Sequence, residues 1–332
     1  MRIAIFDSWG QKFTRPVAEH WRSLGHEVHT GMHWSAEIVE SVDVAYFYPV
    51  DNNLIQASKK QGKPPNVRII AEAVDIDIYA GHPGAVQWEY VDALIFMAHH
   101  TKELSDHKFN IPRDLPQYIV PGGIDTDRWT LRKNTSKGYN VAFIGRFWIA
   151  KNMFGALQIF NQLIKTDPGN PWKLYLRGEN YDPLWWQRHV EAYIEASPGL
   201  KERIEFVPWV EDLNEWLEDK SYLIQSSFKE SFAYVVGECA SKGLKPIIQM
   251  TTGVLSIWPS NWVFQTHDEA VQMFLKGYEP ETYRAYVADR YPLSRRLEML
   301  DEICGIERGD RGQERLLVQR LRALGYVESD KV

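Results

Sequence analysis

The chain has 332 residues, 44% hydrophobic and 25% charged, with a formal net charge of −6. At roughly 100–200 residues per domain this is a two-domain length, and the composition excludes a disordered, collagenous or coiled-coil protein. No apolar stretch approaches the roughly 20 residues that cross a bilayer, and a net acidic chain is not a general attractor for polyanions.

From the start, short β-branched runs alternate with amphipathic segments. The start itself, MRIAIFDSWGQKF, turns polar after one short apolar run and does not read as a signal peptide. The apolar runs are 2–7 (RIAIFD), 27–31 (EVHTG), 42–48 (VDVAYFY), 67–73 (VRIIAEA), 93–98 (ALIFMA) and 117–121 (QYIVP), with helical periodicity at 15–24 and 101–107. Strands alternating with helices predict parallel pairing through right-handed crossovers, hence a Rossmann-like sheet over 1–122. Residues 123–139 (GIDTDRWTLRKNTSKGY) are polar and aperiodic, as expected of an interdomain linker. A second series follows over 140–290: 140–146 (NVAFIGR), 172–178 (WKLYLRG), 204–209 (IEFVPW), 222–227 (YLIQSS), 245–250 (KPIIQM) and 262–266 (WVFQT), separated by helical stretches at 153–164, 183–196 and 232–242. The fold class expected is therefore α/β, two Rossmann-like domains facing each other, with ligands bound in a cleft at the carboxyl ends of the strands. The last stretch, 291–332, reads as helices, of which 294–303 is expected to cross back to the first domain. Residues 313–324 are amphipathic, with Leu316, Leu317, Leu321 and Leu324 on one face and Arg315, Arg320 and Arg322 on the other.

The two cysteines, Cys239 and Cys304, are too few for a disulfide framework and lack metal-ligand spacing, which favours a reducing, cytoplasmic setting. Thirteen tryptophans are an unusual number. Most are expected in the cores, where aromatic rings bury large areas, leaving a minority to line a site.

Two constellations carry chemistry. Glu230 and Glu238 flank Ser231–Phe232–Ala233–Tyr234–Val235–Val236–Gly237, just after the strand 222–227. With a helix starting near Ser231, eight steps at about 1.5 Å each would set the carboxylates roughly 12 Å apart, the span of a diphosphate with a sugar at either end. The helix N-terminus between them would offer N–H groups to phosphate oxygens. The second constellation is Gly145–Arg146 followed by Lys151–Asn152 after the strand 140–146, a fork and a point charge suited to a diphosphate. Both follow strand ends of one domain and so open on one sheet edge.

These residues carry a family resemblance. VPGGIDTDRW (120–129), VAFIGRFWIAKNMFGALQIF (141–160) and SSFKESFAYVVGECASKGLKPII (226–248) resemble the interdomain signature, the Gly-Arg…Lys strand–loop–helix and the Glu…Glu segment of retaining nucleotide-sugar glycosyltransferases of family 4, which have the GT-B fold. Fainter likenesses are SLGHEVH (23–29), VDALIFMAHHTKEL (91–104) and the strand–Gly–Glu at 176–179. The resemblance implies an enzyme that transfers a sugar from a nucleoside diphosphate, UDP among the possible carriers, with retention at the anomeric carbon. Carried over by position, Arg146 and Lys151 would hold the diphosphate beside Gly145, and Glu238 would bind the ribose. Glu230 would bind the transferred sugar, with N–H groups at Phe232, Ala233 and Tyr234 on sugar or phosphate. The base would lie at Val207–Val210. No cofactor and no metal are implied, the donor itself being a substrate.

The sequence departs from that pattern in several places. Ser231 and Ala233 stand where the family has glycines, and TTGVLSIWP (251–259) replaces a Gly-Gly loop, with Trp258 either a core residue, as most tryptophans are, or a border of the donor sugar. EAVDIDIYAG (72–81) offers Asp75 and Asp77, but no histidine, after the fourth strand. A carboxylate there would either position the acceptor or take its proton, or else cap the strand end; His82, His99 and His100 lie nearby in sequence or at another strand end. The loop SWGQ (8–11) would touch either partner. The acceptor is unnamed: lipid, glycan, protein, small metabolite and modified DNA all remain. The DNA version would use Lys59, Lys60, Lys63 and Arg68. A non-catalytic nucleotide-sugar binder is the competing class. A dehydrogenase is disfavoured because neither first strand is followed by Gly-x-Gly-x-x-Gly.

Overall fold

The computed structural model describes residues 1–59, 62–179 and 184–306. Lys60, Pro183 and the amphipathic stretch 313–324 lie outside them. The chain divides into two compact units, Met1–Gly122 with Ser294–Val332, and Gly123–Leu293.

The first unit is built on a parallel sheet of β1 (Arg2–Asp7), β2 (Glu27–Gly31), β3 (Val44–Tyr48), β4 (Arg68–Ala73), β5 (Ala93–Phe96) and β6 (Gln117–Ile119), in the order β2-β1-β3-β4-β5-β6. β3 and β5 are buried along their whole length, whereas β2, with Glu27, His29 and Thr30, is the half-exposed edge. This is the expected contrast between strands covered on both faces and strands at a rim. Phe6, Phe47, Leu54, Ile69 and Phe96 centre its core.

The segment after Ser294 completes this unit. Arg296 donates both Nη2 hydrogens to the Glu72 carboxylate at 2.8 Å, and its Nη1 donates to the carbonyls of Val120 and Pro121. Glu72 also accepts from the Tyr46 hydroxyl. Asp301 accepts from Trp21 Nε1 at 2.8 Å and pairs with His20 at 2.9 Å.

The second unit repeats the plan with β7 (Asn140–Ile144), β8 (Lys173–Arg177), β9 (Ile204–Val207), β10 (Tyr222–Gln225), β11 (Lys245–Gln249) and β12 (Val263–Phe264), in the order β12-β11-β10-β7-β8-β9, all parallel. Its core gathers Phe143, Phe160, Trp172, Leu174 and Phe274. The stretch read as a linker, 123–139, lies on this unit. Ile124 bridges to Pro292, and the Arg284 guanidinium donates to the carbonyls of Thr126 and Trp129. The strand runs seen in the sequence recur within a few residues of their expected ends. The short helices Asn52–Ser58 and Asp75–Ala80 have no counterpart in the periodicity, because a helix of seven or six residues shows barely two turns of pattern.

Candidate functional site

In the second sheet the chain winds outward from β7 through β8 and β9, then returns to start again at β10 on the other side of β7. The loops leaving the carboxyl ends of β7 and β10 therefore flank the point where strand order reverses, the usual ligand position in an open α/β sheet. The backbone latches these two loops together. Phe228 N donates to Ala150 O at 2.9 Å, and Ser226 Oγ donates to Asn152 O at 2.8 Å. Asn152 itself takes a left-handed conformation (φ 48°) and caps the helix Met153–Thr166 by accepting from Gly155 N at 3.1 Å.

On this latched frame Lys151 Nζ meets Glu230 Oε1 at 2.5 Å, and the same oxygen accepts from Gln225 Nε2 at 2.8 Å. The Lys151 and Glu230 side chains are 30% and 22% exposed, so the pair is reachable from solvent. Glu230 also lines a recess with Gln225, Ser227, Phe232, Ala233, Thr251 and Trp258. Trp258 is buried and belongs to the aromatic cluster of Phe232, Trp262, Tyr286 and Tyr291, so it forms the recess floor as part of the core. Ala233 has φ 60°, ψ 65° and is the N-cap of the helix Tyr234–Ser241. As an alanine it thus takes a left-handed backbone that glycine adopts most readily, at a position where the resemblance has glycine.

That helix starts at Tyr234, three residues later than the sequence suggested, and Glu230 lies before it in irregular chain. The spacing of roughly 12 Å argued from a continuous helix therefore has no basis. Glu238 is half-buried on the helix. Its electrostatic partner is a residue the sequence reading passed over, Arg177, the last residue of β8. Burial pulls the Arg177 guanidinium below its ordinary value, while Glu179 and Glu238 push the other way.

β8 also runs tightly against β7. Gly145 N donates to Arg177 O at 3.1 Å, and a Cβ on Gly178 would stand 1.9 Å from Gly145 O. Gly178 is therefore required by close backbone approach. Arg146 is exposed on the loop that follows. Val207, the last residue of β9, is buried, and Val210 beyond it is half-buried. The Val207 carbonyl accepts from Gly178 N, and the Val210 carbonyl accepts from Arg177 Nη2 at 3.4 Å.

In the first unit the corresponding edge is occupied differently. Asp77 is 2% exposed, and its Oδ2 accepts from Val74 N at 2.9 Å and Val50 N at 3.2 Å. Burial nonetheless lifts its carboxyl well above the ordinary range. Asp75 is half-buried at the start of the same short helix, and His82 Nδ1 is 3.1 Å from the Val50 carbonyl. Asp7 is fully buried at the end of β1, where it accepts from Thr14 Oγ1 and Trp9 N. In the SWGQ loop Trp9 packs edge-on against Phe13 and Tyr48. Of the cations considered for DNA, Lys63 pairs with Asp92, and a Cβ on Gly305 would lie 3.1 Å from Arg68 Nη1. Among the described residues no group of three or more His, Cys, Asp or Glu side chains is placed to hold a metal ion, and no helix is long and apolar enough to cross a membrane.

Residues 138–272 match the family model described as glycosyl transferases group 1. Over 130 residues the chain is 25% identical to a GDP-mannose:cellobiosyl-diphosphopolyprenol alpha-mannosyltransferase of Xanthomonas oryzae pv. oryzae; the match covers 39% of this chain and 33% of that protein. The chain thus matches about a third of that relative's length. Among solved structures it is similar to a glycosyltransferase from Rickettsia africae, with TM-score 0.71 and 13% identity over 91% of this chain and 97% of that one. It is also similar to Anabaena HepE in complex with UDP, with TM-score 0.70 and 11% identity over 91% and 99%. At these identities the likeness is one of fold.

Proposed function

We propose a reaction on the premise that the chain is a GT-B glycosyltransferase by fold with a group 1 glycosyl transferase domain at residues 138–272: it moves a sugar from a nucleoside diphosphate to an acceptor hydroxyl with retention. The observation that carries this reading is the half-exposed Lys151–Glu230 pair, held by the buried Gln225, at the strand-order reversal beside the left-handed cap at Ala233. A diphosphate entering there would draw Lys151 Nζ off Glu230, and the freed carboxylate would accept from hydroxyls of the transferred sugar. Arg146, on the neighbouring loop, would add a second cation to the leaving group.

In the step itself the anomeric C–O bond to the diphosphate breaks and the acceptor oxygen bonds to the same face of that carbon. The acceptor proton passes to a diphosphate oxygen. The sugar carries oxocarbenium character, so the protein's share is orientation and stabilisation of charge on the departing phosphate. Cationic side chains supply that stabilisation, and the reaction needs no metal. The Xanthomonas relative's name makes GDP-mannose the first donor to try and a glycan-bearing lipid diphosphate the first acceptor.

The test is transfer or slow donor hydrolysis by the full chain across GDP- and UDP-sugars, with EDTA present and absent. Turnover that resists EDTA and falls about 10²–10³-fold in Lys151→Ala, the cost of removing one preorganised charge-stabilising donor, supports the reading. A folded protein that binds no nucleotide sugar and turns none over rejects it.

A further inference from the structure

Trp209, on the loop after β9, is a large apolar side chain left 60% exposed. Indole rings bury large areas and are seldom left so open. Its position is nevertheless fixed. The Arg177 guanidinium carbon lies 3.9 Å from the Trp209 ring centroid, a close cation–π stack. Arg177 is itself only 6% exposed and is anchored by Nη2 on the Val210 carbonyl, while its buried Nε has no hydrogen-bond partner among the described residues. One face of the indole is thus backed by a nearly buried cation.

On the donor-site reading, which puts the base at Val207–Val210, this pair stands at the nucleoside end. Arg177 is electrostatically coupled to Glu238, the ribose anchor of the reading above. The Val207 and Val210 carbonyls each already accept one hydrogen bond, from Gly178 N and Arg177 Nη2, which leaves each a single lone pair for a base. What the loop presents beside them is a flat aromatic face.

Resting on the donor-site reading, we infer that Trp209, backed by Arg177, is the stacking platform for the donor's nucleobase, and that its bicyclic ring favours a purine over a pyrimidine. Every base has a π-face, so stacking supplies affinity without edge contacts, and its strength follows ring overlap. Holding the ring against Arg177 beforehand reduces the ordering cost of binding. Arg177 acts here as a positioning residue for the indole.

The experiment titrates GDP, UDP and inorganic pyrophosphate separately into the full chain and into Trp209→Ala and Trp209→Phe, with folding checked by circular dichroism. In Trp209→Ala, GDP affinity is expected to fall about tenfold or more, the usual range for loss of one base–aromatic stack. UDP affinity falls less, pyrophosphate affinity holds, and Trp209→Phe recovers most of the loss. Arg177→Met, which removes the backing charge, gives a smaller loss confined to the nucleotides. Unchanged GDP and UDP affinity in Trp209→Ala overturns the platform, as does a parallel fall for pyrophosphate, and equal losses for GDP and UDP overturn the purine preference. Failure of the unaltered chain to bind any of the three ligands is a different result, and it rejects the donor site itself.

Discussion

The two units solve one problem differently: how to arrange charged side chains at the carboxyl edge of a parallel sheet. In the second unit, backbone bonds between adjacent loops do the holding, such as Phe228 N to Ala150 O, and the charged groups Lys151 and Glu230 remain half exposed and paired to each other. In the first, Asp7 and Asp77 are buried, and their oxygens are taken up by backbone amides and a threonine hydroxyl. A carboxylate near a strand end is a reagent only while its hydrogen-bonding capacity can be transferred to a ligand. Once two amides in a dry site depend on it, it is part of the frame. By this standard Lys151 and Glu230 keep the exchangeable capacity that a ligand would use, whereas Asp7 and Asp77 belong to the frame.

The largest effect that would sharpen this contrast comes from the first unit's buried ion pair. Arg296 is 5% exposed on its side chain and Glu72 is fully buried, so removing one partner strands the other. Arg296→Met is expected to destabilise the chain by about 3–5 kcal/mol, and the double change Glu72→Gln with Arg296→Met should regain part of it. Denaturant unfolding of the full chain measures both. A loss under 1 kcal/mol for the single change would mean that the first unit is not framed by buried charge, and the comparison would fail.

A smaller effect tests the same contrast at Asp77. Asp77→Ala leaves Val50 N and Val74 N without their acceptor, at about 1–3 kcal/mol for each orphaned buried group, whereas Asp77→Asn keeps an oxygen for both. The pH dependence has a definite sign. Burial raises the folded-state pKa of Asp77 above its unfolded value near 3.9. Between those two values the native state holds a proton that the unfolded chain has released, so this group makes stability fall as pH rises through the window. Asp77→Asn removes that slope. If instead it leaves stability intact and lowers turnover 100-fold, the carboxylate takes part in the reaction and the first unit's edge is chemical after all.

Much of the fold could be read from the chain. Runs such as RIAIFD and YLIQ are buried strands because β-branched and aromatic residues fill both faces of a covered parallel sheet. Lys151 and Glu230 were legible as candidates because each follows a strand that the hydrophobic pattern marks. Their contact was not, since it depends on β7 and β10, 79 residues apart at this point, being neighbours in the sheet. Arg177 and Trp209 were overlooked for a similar reason: a strand-end arginine and a loop tryptophan meet only because β8 and β9 pair. The Arg296–Glu72 contact spans 224 residues and leaves no local signal. Asp77 was noticed as a carboxylate, but its capture by Val50 N could not be, because the short helix that presents it falls below the length at which periodicity speaks.

The smallest effect returns to the second unit and to a residue that departs from the family pattern. Ala233 holds φ 60°, ψ 65°, where a Cβ crowds the following carbonyl at roughly 1–2 kcal/mol. Glycine would relieve that strain, but it would also gain unfolded-state entropy, which offsets part of the benefit. Ala233→Gly is therefore expected to stabilise the chain by about 1 kcal/mol or less, measured as a higher denaturation midpoint at unchanged slope. Because the alanine already adopts the glycine conformation, nucleotide affinity should change less than twofold. A tenfold change in affinity would instead mean that the alanine methyl, on the wall of the recess, contacts the donor directly. The left-handed cap would then be part of substrate recognition as well as of the helix start, and the division between frame and reagent would have to be redrawn within the second unit.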